Sequence, residues 1–209
     1  MRERKRGARY ALLVSGLCAM ALGVSLSIQA RLGTSPISSV PYVTSLASGL
    51  SVGTTTILMN SVFVLLQILL LRGKYRPFQL MQLPVTMLFG GMIDVFLFFL
   101  RGVVPESYAA AWALCILGIV VLSAGVSMCV TANIVTAAGE GIVLAVCEVS
   151  RMKFGTMKVC FDSLLVMLAV AFSLLFLGGV EGVREGTVAS AFCVGMLAKR
   201  FSRFTEKWI

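Results

Sequence analysis

Lys158 and Asp162 are charged residues inside an apolar segment, and they lie four residues apart. This spacing places both side chains on one face of a helix, where they can pair. Glu140 is a third charged residue, near the start of a short predicted helix. Ionisable groups inside membrane spans are costly and tend to be functional. The three residues therefore have the chemistry to bind a polar solute or an ion; the alternative for Lys158 and Asp162 is a structural lock between helices.

A second polar group consists of hydroxyls. Residues 32–56 contain eleven Ser or Thr residues and two prolines. Ser35 followed by Pro36 predicts a helix start, with Ser35 as N-cap and Pro36 at the first helical position. Ser38 and Ser39 then lie in the first turn, where the helix dipole is positive. The alternative is an ordinary extracellular loop with a surface amphipathic helix, although this short helix has no charged face.

The candidate site combines these groups with polar residues at matching positions of two similar halves. A shift of 102 residues places Asn60 on Asp162 and Ser38 on Glu140. One half thus offers hydroxyls and the other an acid, which favours a zwitterion, an amine or a coupling cation over a simple anion. The predicted substrate-binding residues are Thr34, Ser35, Ser38, Ser39, Asn60, Gln67, Thr136, Glu140, Thr156, Lys158 and Asp162.

Enzyme chemistry is disfavoured by the residues that the sequence lacks. Histidine is absent, which excludes Ser-His and Cys-His nucleophilic dyads and HExxH zinc sites. The six cysteines lie in apolar segments without a CxxC motif, a pattern typical of small buried side chains rather than disulfides or metal ligands. We therefore expect no enzymatic activity, no catalytic residue, no cofactor and no metal site.

The elements that position these residues are membrane helices. Of the 209 residues, 58% are hydrophobic and 13% are charged, about half the charged share of a soluble domain. Long apolar segments occur at 10–29, 53–71, 79–100, 110–131, 155–177 and 185–201. Most approach the ~20 residues that a spanning helix needs. Two shorter segments, 36–49 and 139–150, have the length of re-entrant or interfacial helices, and the sequence leaves open whether they span.

The sequence repeats internally. When residues 23–66 are placed on 125–168, 11 of the 44 positions are identical. The matches include Thr34 with Thr136 and several glycines and serines, which shared apolar composition does not explain. Such duplication is common in transporters. Because each half has three predicted spans, an odd number, the second half would be inserted upside down relative to the first.

The distribution of basic residues predicts the orientation. The net charge is +9, but the basic residues lie mostly in termini and short loops, as membrane orientation requires. If both short helices are re-entrant, 14 basic residues are cytoplasmic and three are outside; if all eight segments span, the numbers are 12 and five. The first arrangement is favoured. We therefore expect a lipid bilayer as partner, no nucleic acid, and both termini in the cytoplasm; a cleaved signal peptide is the alternative for the N-terminus.

Four further polar residues have local interpretations. Asp94 lies late in its span and is interpreted as an interfacial acid near a helix end. Gln82, just before a proline, is predicted to satisfy backbone carbonyls that the proline frees. Glu185 and Thr187 resemble a capped start of the last span. The tail that follows alternates basic and aromatic residues, which is typical of a membrane-surface anchor.

Four sequence blocks together resemble a known family. They are ARLGTSPISSVPYVTS, GTTTILMN, QLPVTMLFGGMIDVF and REGTVASAFCVGML. They are similar to the YczE/YitT group of small bacterial integral membrane proteins, in particular its YczE-like branch. The resemblance covers nearly the whole chain and implies a bacterial inner-membrane protein with several spans. It carries over no catalytic or binding residue, and the second half lacks the proline of the GTSP block.

These observations predict an all-α polytopic membrane protein of two inverted repeats, each with three transmembrane helices and one short re-entrant helix. The repeats cover 10–104 and 105–201, between a basic N-terminus (1–9) and a basic, aromatic tail (202–209). The favoured function is transport or facilitated passage of a small polar solute. The alternatives are a substrate-binding subunit of a partner-driven transporter and a structural or regulatory membrane protein. A homo-oligomer and an ATP-driven partner subunit are both compatible with the sequence.

Overall fold

The helices follow the predicted segments closely. A computed structural model describes residues 2–205, with side chains from residue 7 onward; the predicted N-terminal and tail segments extend to Met1 and 206–209, which lie outside the described residues. Its helices are α1 (Arg2–Gln29), α2 (Pro36–Ser48), α3 (Val52–Leu71), α4 (Gln82–Phe99), α5 (Tyr108–Ala132), α6 (Ala138–Ser150), α7 (Phe154–Leu177) and α8 (Glu185–Thr205). Short 3₁₀ helices, Arg72–Lys74 and Pro77–Met81, connect α3 to α4.

Five helices of the described chain are long and apolar enough to cross a membrane. They are Gly7–Gln29, Val52–Lys74, Pro77–Phe99, Tyr108–Ala132 and Phe154–Leu177. An all-helical chain compatible with a membrane protein is thereby confirmed. The sixth predicted span falls in α8, which is 21 residues long but is not among the five, because its last turns carry Lys199, Arg200 and Arg203. A sixth crossing stays a prediction.

The short helices α2 and α6 have equal length and equivalent positions. Each contains 13 residues, about 20 Å of helix at ~1.5 Å per residue, well short of the ~30 Å hydrocarbon core. Their first residues are 102 positions apart, as are those of α3 and α7. The chain also takes a positive φ at equivalent places, at Arg31 (55°) and Asn133 (48°), and at Gly49 (73°) and Arg151 (58°). The backbone therefore turns alike in both halves.

Helices α1 and α5 form the most extensive contact of the fold. They approach closely at four glycines: Gly16 lies against Gly125, and Gly23 lies against Gly118. A Cβ at Gly23 would lie 2.5 Å from the backbone nitrogen of Leu122, so no larger residue fits without moving the helices apart. Residue numbers rise along α1 from one contact to the other but fall along α5, so the two helices are antiparallel. Small residues allow this close backbone approach in membrane proteins.

The remaining helices are arranged around this pair. Helix α4 packs beside α1 and α8 beside α5, while α2 packs on α7 and α6 on α3. These contacts of the first half thus have counterparts in the second. One pair breaks the pattern: α3 packs along α4, with Gly53 against Gly90, whereas α7 and α8 have hardly any contact.

Candidate functional site

The starts of α2 and α6 meet inside the protein. Gly139, in the first turn of α6, lies directly against the Ile37 side chain in the first turn of α2, where a Cβ would overlap the end of that side chain. The two helices then run apart. Helix α6 ends near the 3₁₀ helix after α3, where Lys74 and Glu148 form an ion pair of 3.3 Å. Helix α2 ends beside the start of α3. The loops 30–35 and 133–137, which precede α2 and α6, place the N-termini of both helices at this point.

The first turn of α2 has no side-chain cap. Ser35 is the N-cap residue and Pro36 takes the first helical position, as predicted, but the Ser35 hydroxyl donates to Ser38 Oγ at 3.0 Å instead of accepting from a backbone N–H. The first turn of α6 is also uncapped, because its N-cap is Ala137. By contrast, the Ser51 hydroxyl accepts the Thr54 N–H at the start of α3. In the first turn of α2, the Ser38 and Ser39 N–H groups both donate to the Ser35 carbonyl at 2.9 Å. At the start of α6, the Gly141 N–H donates to the Ala137 carbonyl at 2.8 Å, and the N–H groups before it have no acceptor within the described chain.

The charged residues lie together at this point. The Lys158 ammonium donates to the Asp162 carboxylate at 2.6 Å, and the side chains are 31% and 19% exposed. Glu140, in the first turn of α6, is close enough to interact electrostatically with both. Its carboxylate has no hydrogen bond or ion pair with any residue of the described chain. The site therefore contains one satisfied charge pair and one unpaired acid.

A cavity of about 270 Å³ connects the charged residues to the helix starts. Most of its wall is apolar and comes from α1, α4, α5 and α8, with residues such as Leu17, Met20, Phe89 and Leu122. Seven of the predicted site residues line it: Ser35, Ser38, Asn60, Thr136, Glu140, Lys158 and Asp162. The arrangement can hold a small molecule with a charged end and an apolar end.

The other four predicted residues do not line the cavity. Thr34 is buried next to it, and its hydroxyl has no partner among the described side chains. The Ser39 hydroxyl donates to the Pro36 carbonyl at 2.6 Å. Thr156 is exposed on the outer surface of α7. Gln67 is fully buried, and its amide is bonded elsewhere.

Gln67 forms a reciprocal amide pair with Gln82. Each side-chain nitrogen donates to the other side-chain oxygen, at 3.0 and 3.2 Å, and Gln67 also donates to the Ala138 carbonyl at 3.2 Å. The pair joins α3, α4 and the start of α6. Gln82 lines the cavity, but it pairs with a side chain rather than with the backbone carbonyls that we expected it to satisfy.

Sequence reasoning missed three hydroxyl residues of the cavity wall: Thr56, Thr86 and Ser190. Ser190 is only 3% exposed, and its hydroxyl has no partner in the part of the chain that the structure describes. A shift of 102 residues places Thr56 on Lys158, so the repeat carried a signal for this residue. The other two have no such signal, because a single hydroxyl on an apolar helix does not reveal which way it faces.

Asp94 and Thr187 have structural positions away from the charged group. Asp94 accepts the Ser51 hydroxyl at 2.6 Å and the Gly53 N–H at 2.7 Å, so it holds the start of α3 from the end of α4. Thr187 accepts the Arg184 N–H at 3.4 Å near the start of α8, in agreement with its interpretation as part of a helix cap. Within the described chain, no group of three His, Cys, Asp or Glu residues could hold a metal ion.

Comparisons with known proteins agree on a family but give no activity. The chain is 25% identical, over 193 residues, to an uncharacterised protein YyaS of Bacillus subtilis (strain 168); the match covers 92% of this chain and 91% of that protein. No solved structure matches. The YczE/YitT group is not named in these matches, so that relation stays a prediction. A model of a family of unknown function (DUF6198) matches residues 7–203, and the chain belongs to this family.

Proposed function

We propose that the protein transports, or facilitates the passage of, a small polar solute through a site near the membrane midplane. The observation that carries this proposal is the cavity at the meeting point of α2 and α6, with Glu140, Lys158 and Asp162 in its wall. Charged side chains inside membrane proteins typically face such cavities and mark solute or ion pathways. Helix starts that converge on a buried cavity are a recurrent feature of transporters.

The contact between α1 and α5 supports an inverted repeat. Under the shift of 102 residues, Gly16 corresponds to Gly118 and Gly23 to Gly125. The contact of Gly16 with Gly125 therefore maps onto that of Gly118 with Gly23, so the interface has twofold pseudo-symmetry. Equivalent helices that pack antiparallel are expected when the two halves are inserted in opposite orientations.

The ion pair between Lys74 and Glu148 supports re-entrant short helices. It brings the loop after α3 next to the end of α6. If all eight segments spanned, these two points would lie on opposite faces of the membrane. The ~20 Å length of α6 also fits a helix that starts near the midplane and returns to the same face.

The weak contact between α7 and α8 gives the cavity an opening. Ala191 and Gly195 of α8 line the cavity and are exposed. The corresponding gap in the first half is closed, because α3 and α4 pack along each other. We infer that a solute enters between α7 and α8. If α7 then packs along α8 and α3 separates from α4, the cavity becomes accessible from the opposite face.

The unpaired groups favour transport over the alternatives. A structural membrane protein would pair its internal polar side chains with each other, yet Glu140 and Ser190 have no partners within residues 7–205. A substrate-binding subunit of an ATP-driven transporter would bind the solute but not move it alone. We place the protein in a bacterial inner membrane with both termini in the cytoplasm, and we propose no enzymatic activity.

Uptake by the purified protein in proteoliposomes tests this proposal. A panel of labelled amines, amino acids, sugars and organic acids supplies the solutes. We expect uptake of at least one solute, and we expect Glu140→Gln and Asp162→Asn to abolish it without loss of folded protein. Glu148→Gln is the matched control, because Glu148 is exposed on the same helix outside the cavity. Solute binding without uptake would favour the subunit alternative.

A further inference from the structure

We propose that the cavity binds a small organic cation, with an ammonium group beside Glu140 and an apolar body against α1, α4 and α5. This inference rests on the proposed function, because it identifies the class of solute for the same cavity. Three independent features support it: the balance of charge, an unsatisfied hydroxyl and the apolar wall.

The charge balance at the polar end is negative. Two carboxylates, Glu140 and Asp162, lie there with one ammonium, that of Lys158. The short bond of 2.6 Å pairs Lys158 with Asp162, so Glu140 has no ion pair of its own within the described chain, and the attraction of Lys158 for it is opposed by the nearby Asp162. A carboxylate removed from bulk water is costly unless a positive charge or hydrogen-bond donors compensate it. A bound ammonium group supplies both.

Ser190 adds a second free polar group. Its hydroxyl has no partner among residues 7–205, and the residue is 3% exposed and lines the cavity. A buried hydroxyl without a partner costs about 1–3 kcal/mol. A ligand N–H that reaches this part of the wall can satisfy it.

The rest of the cavity excludes a small hydrated ion and limits the size of the ligand. Apart from a few hydroxyl and amide groups, the rest of its wall consists of apolar side chains such as Leu17, Met20 and Phe89, which cannot replace a hydration shell. An alkyl or ring system gains free energy by burial there. The volume of about 270 Å³ exceeds that of a cavity which holds benzene, about 150 Å³, and so accommodates roughly ten non-hydrogen atoms.

An anion fits the cavity less well. The start of α2 offers little to an anion, because the Ser38 and Ser39 N–H groups donate to the Ser35 carbonyl at 2.9 Å and the Ser35 hydroxyl donates to Ser38 Oγ at 3.0 Å. The uncapped start of α6 attracts negative charge, but Glu140 already lies in that turn, and its carboxylate has no ion pair within the described chain. Repulsion between two negative charges in a medium of low dielectric constant opposes the approach of an anion.

The test measures binding of three ligands that share one ring and differ in the polar group. The full chain in lipid nanodiscs is titrated calorimetrically with cyclohexylammonium, cyclohexanol and cyclohexanecarboxylate, and titrations into empty nanodiscs are subtracted. We expect the ammonium compound to bind about tenfold or more tightly than the other two, because it forms a charge-assisted hydrogen bond with Glu140. Equal or tighter binding of the alcohol or the carboxylate overturns the proposal.

Variants locate the effect at Glu140. Glu140→Gln should abolish the preference for the ammonium compound, while Glu140→Asp and the surface control Glu148→Gln should keep it. Asp162→Asn should also abolish it, because Lys158 is then released to neutralise Glu140. A preference for the ammonium compound that survives in both Glu140→Gln and Asp162→Asn overturns the proposal. If Glu140→Gln does not fold, the result for Asp162→Asn alone decides.

Flux measurements separate the solute class from the transport function. If wild-type protein binds cyclohexylammonium but proteoliposomes do not accumulate it or any other cation or amine, the solute class stands and transport is refuted. If the protein moves only anions or neutral solutes, transport stands and the organic cation is refuted.

Discussion

Glu140 and Gln67 illustrate opposite ways to bury a polar side chain. The Gln67 amide has three hydrogen bonds to Gln82 and Ala138, at 3.0–3.2 Å, and is 0% exposed. Glu140 faces the cavity without a hydrogen bond or ion pair among residues 7–205. The first arrangement holds α3, α4 and α6 together, whereas the second leaves a group available to a ligand. Gln67 is outside the cavity wall, and its role in binding stays a prediction.

Substitution of one glutamine of the pair should destabilise the protein. In Gln67→Leu, the Gln82 amide and the Ala138 carbonyl lose their partners, and we expect a loss of about 1–2 kcal/mol. The measurement is thermal unfolding in detergent. The double variant Gln67→Leu/Gln82→Leu should recover part of the loss, because it removes both buried amides. Equal stability of the single variant and the wild type would contradict a structural role.

Helix periodicity explains which site residues could be predicted. Lys158 and Asp162 lie four residues apart and share a face, as expected. Thr156 lies two residues before Lys158, about 200° around the helix, and the structure places it on the exposed side. The sequence identified it only through its match with Thr54 in the repeat. Ser190 was not predicted but lines the cavity. Its position depends on how the helices pack, which a single sequence does not reveal.

The helices differ in whether a side chain caps their first turn, and this depends on where the helix begins. At the start of α3, the Ser51 hydroxyl accepts a backbone N–H, and the Asp94 carboxylate accepts another from Gly53 at 2.7 Å. The starts of α2 and α6 lie beside the cavity and have no side-chain cap. Side-chain capping therefore stabilises the start of α3, whereas the Ser35 carbonyl accepts the Ser38 and Ser39 N–H groups at the start of α2, and the start of α6 has no side-chain cap.

Loss of the Asp94 carboxylate should weaken the start of α3. We expect Asp94→Ala to destabilise the protein by about 1–2 kcal/mol, because the Gly53 N–H and the Ser51 hydroxyl both lose an acceptor. Thermal unfolding measures the change. Glu106→Ala is the control, because Glu106 is an exposed acid in the loop before α5. A larger loss in the control than in Asp94→Ala would rule out this role.

Glycine contacts give a test of the packing between α1 and α5. A Cβ at Gly23 would lie 2.5 Å from the Leu122 nitrogen, whereas a Cβ at Gly91 would meet open space beyond its own helix backbone. We expect Gly23→Ala to cost about 1–3 kcal/mol through overpacking. Gly91→Ala, the same change on another helix, should be neutral or slightly stabilising. Unfolding midpoints of the two variants decide between close and loose packing.

For the whole molecule, the ends of α2 and α6 distinguish the two topologies. Ser48 and Ser150 are identical residues at equivalent, exposed positions. In a background without native cysteines, we expect Ser48→Cys to react with an impermeant thiol reagent from outside, and Ser150→Cys and Arg72→Cys only from inside. If all eight segments spanned, Ser48→Cys would react from inside and Arg72→Cys from outside.

The sequence predicted the helices of the fold better than their packing. Apolar length and the shift of 102 residues located all eight helices, including the equal starts of α2 and α6. The same symmetry predicts that α7 packs on α8 as α3 packs on α4, and here it fails. Gly53 and Gly90 bring α3 and α4 together. Of the corresponding residues, Gly155 and Phe192, the second is too large for the same approach.

The twofold pseudo-symmetry of the glycine contact between α1 and α5 bears on the origin of the chain. If a shorter ancestor corresponded to one half, two copies of it would have joined through this same surface. Because the paired helices run in opposite directions, the two copies would have had to enter the bilayer facing opposite ways. Fusion of their genes would then have fixed one orientation for each copy, and each half could afterwards acquire its own residues, such as Glu140 at the position that corresponds to Ser38.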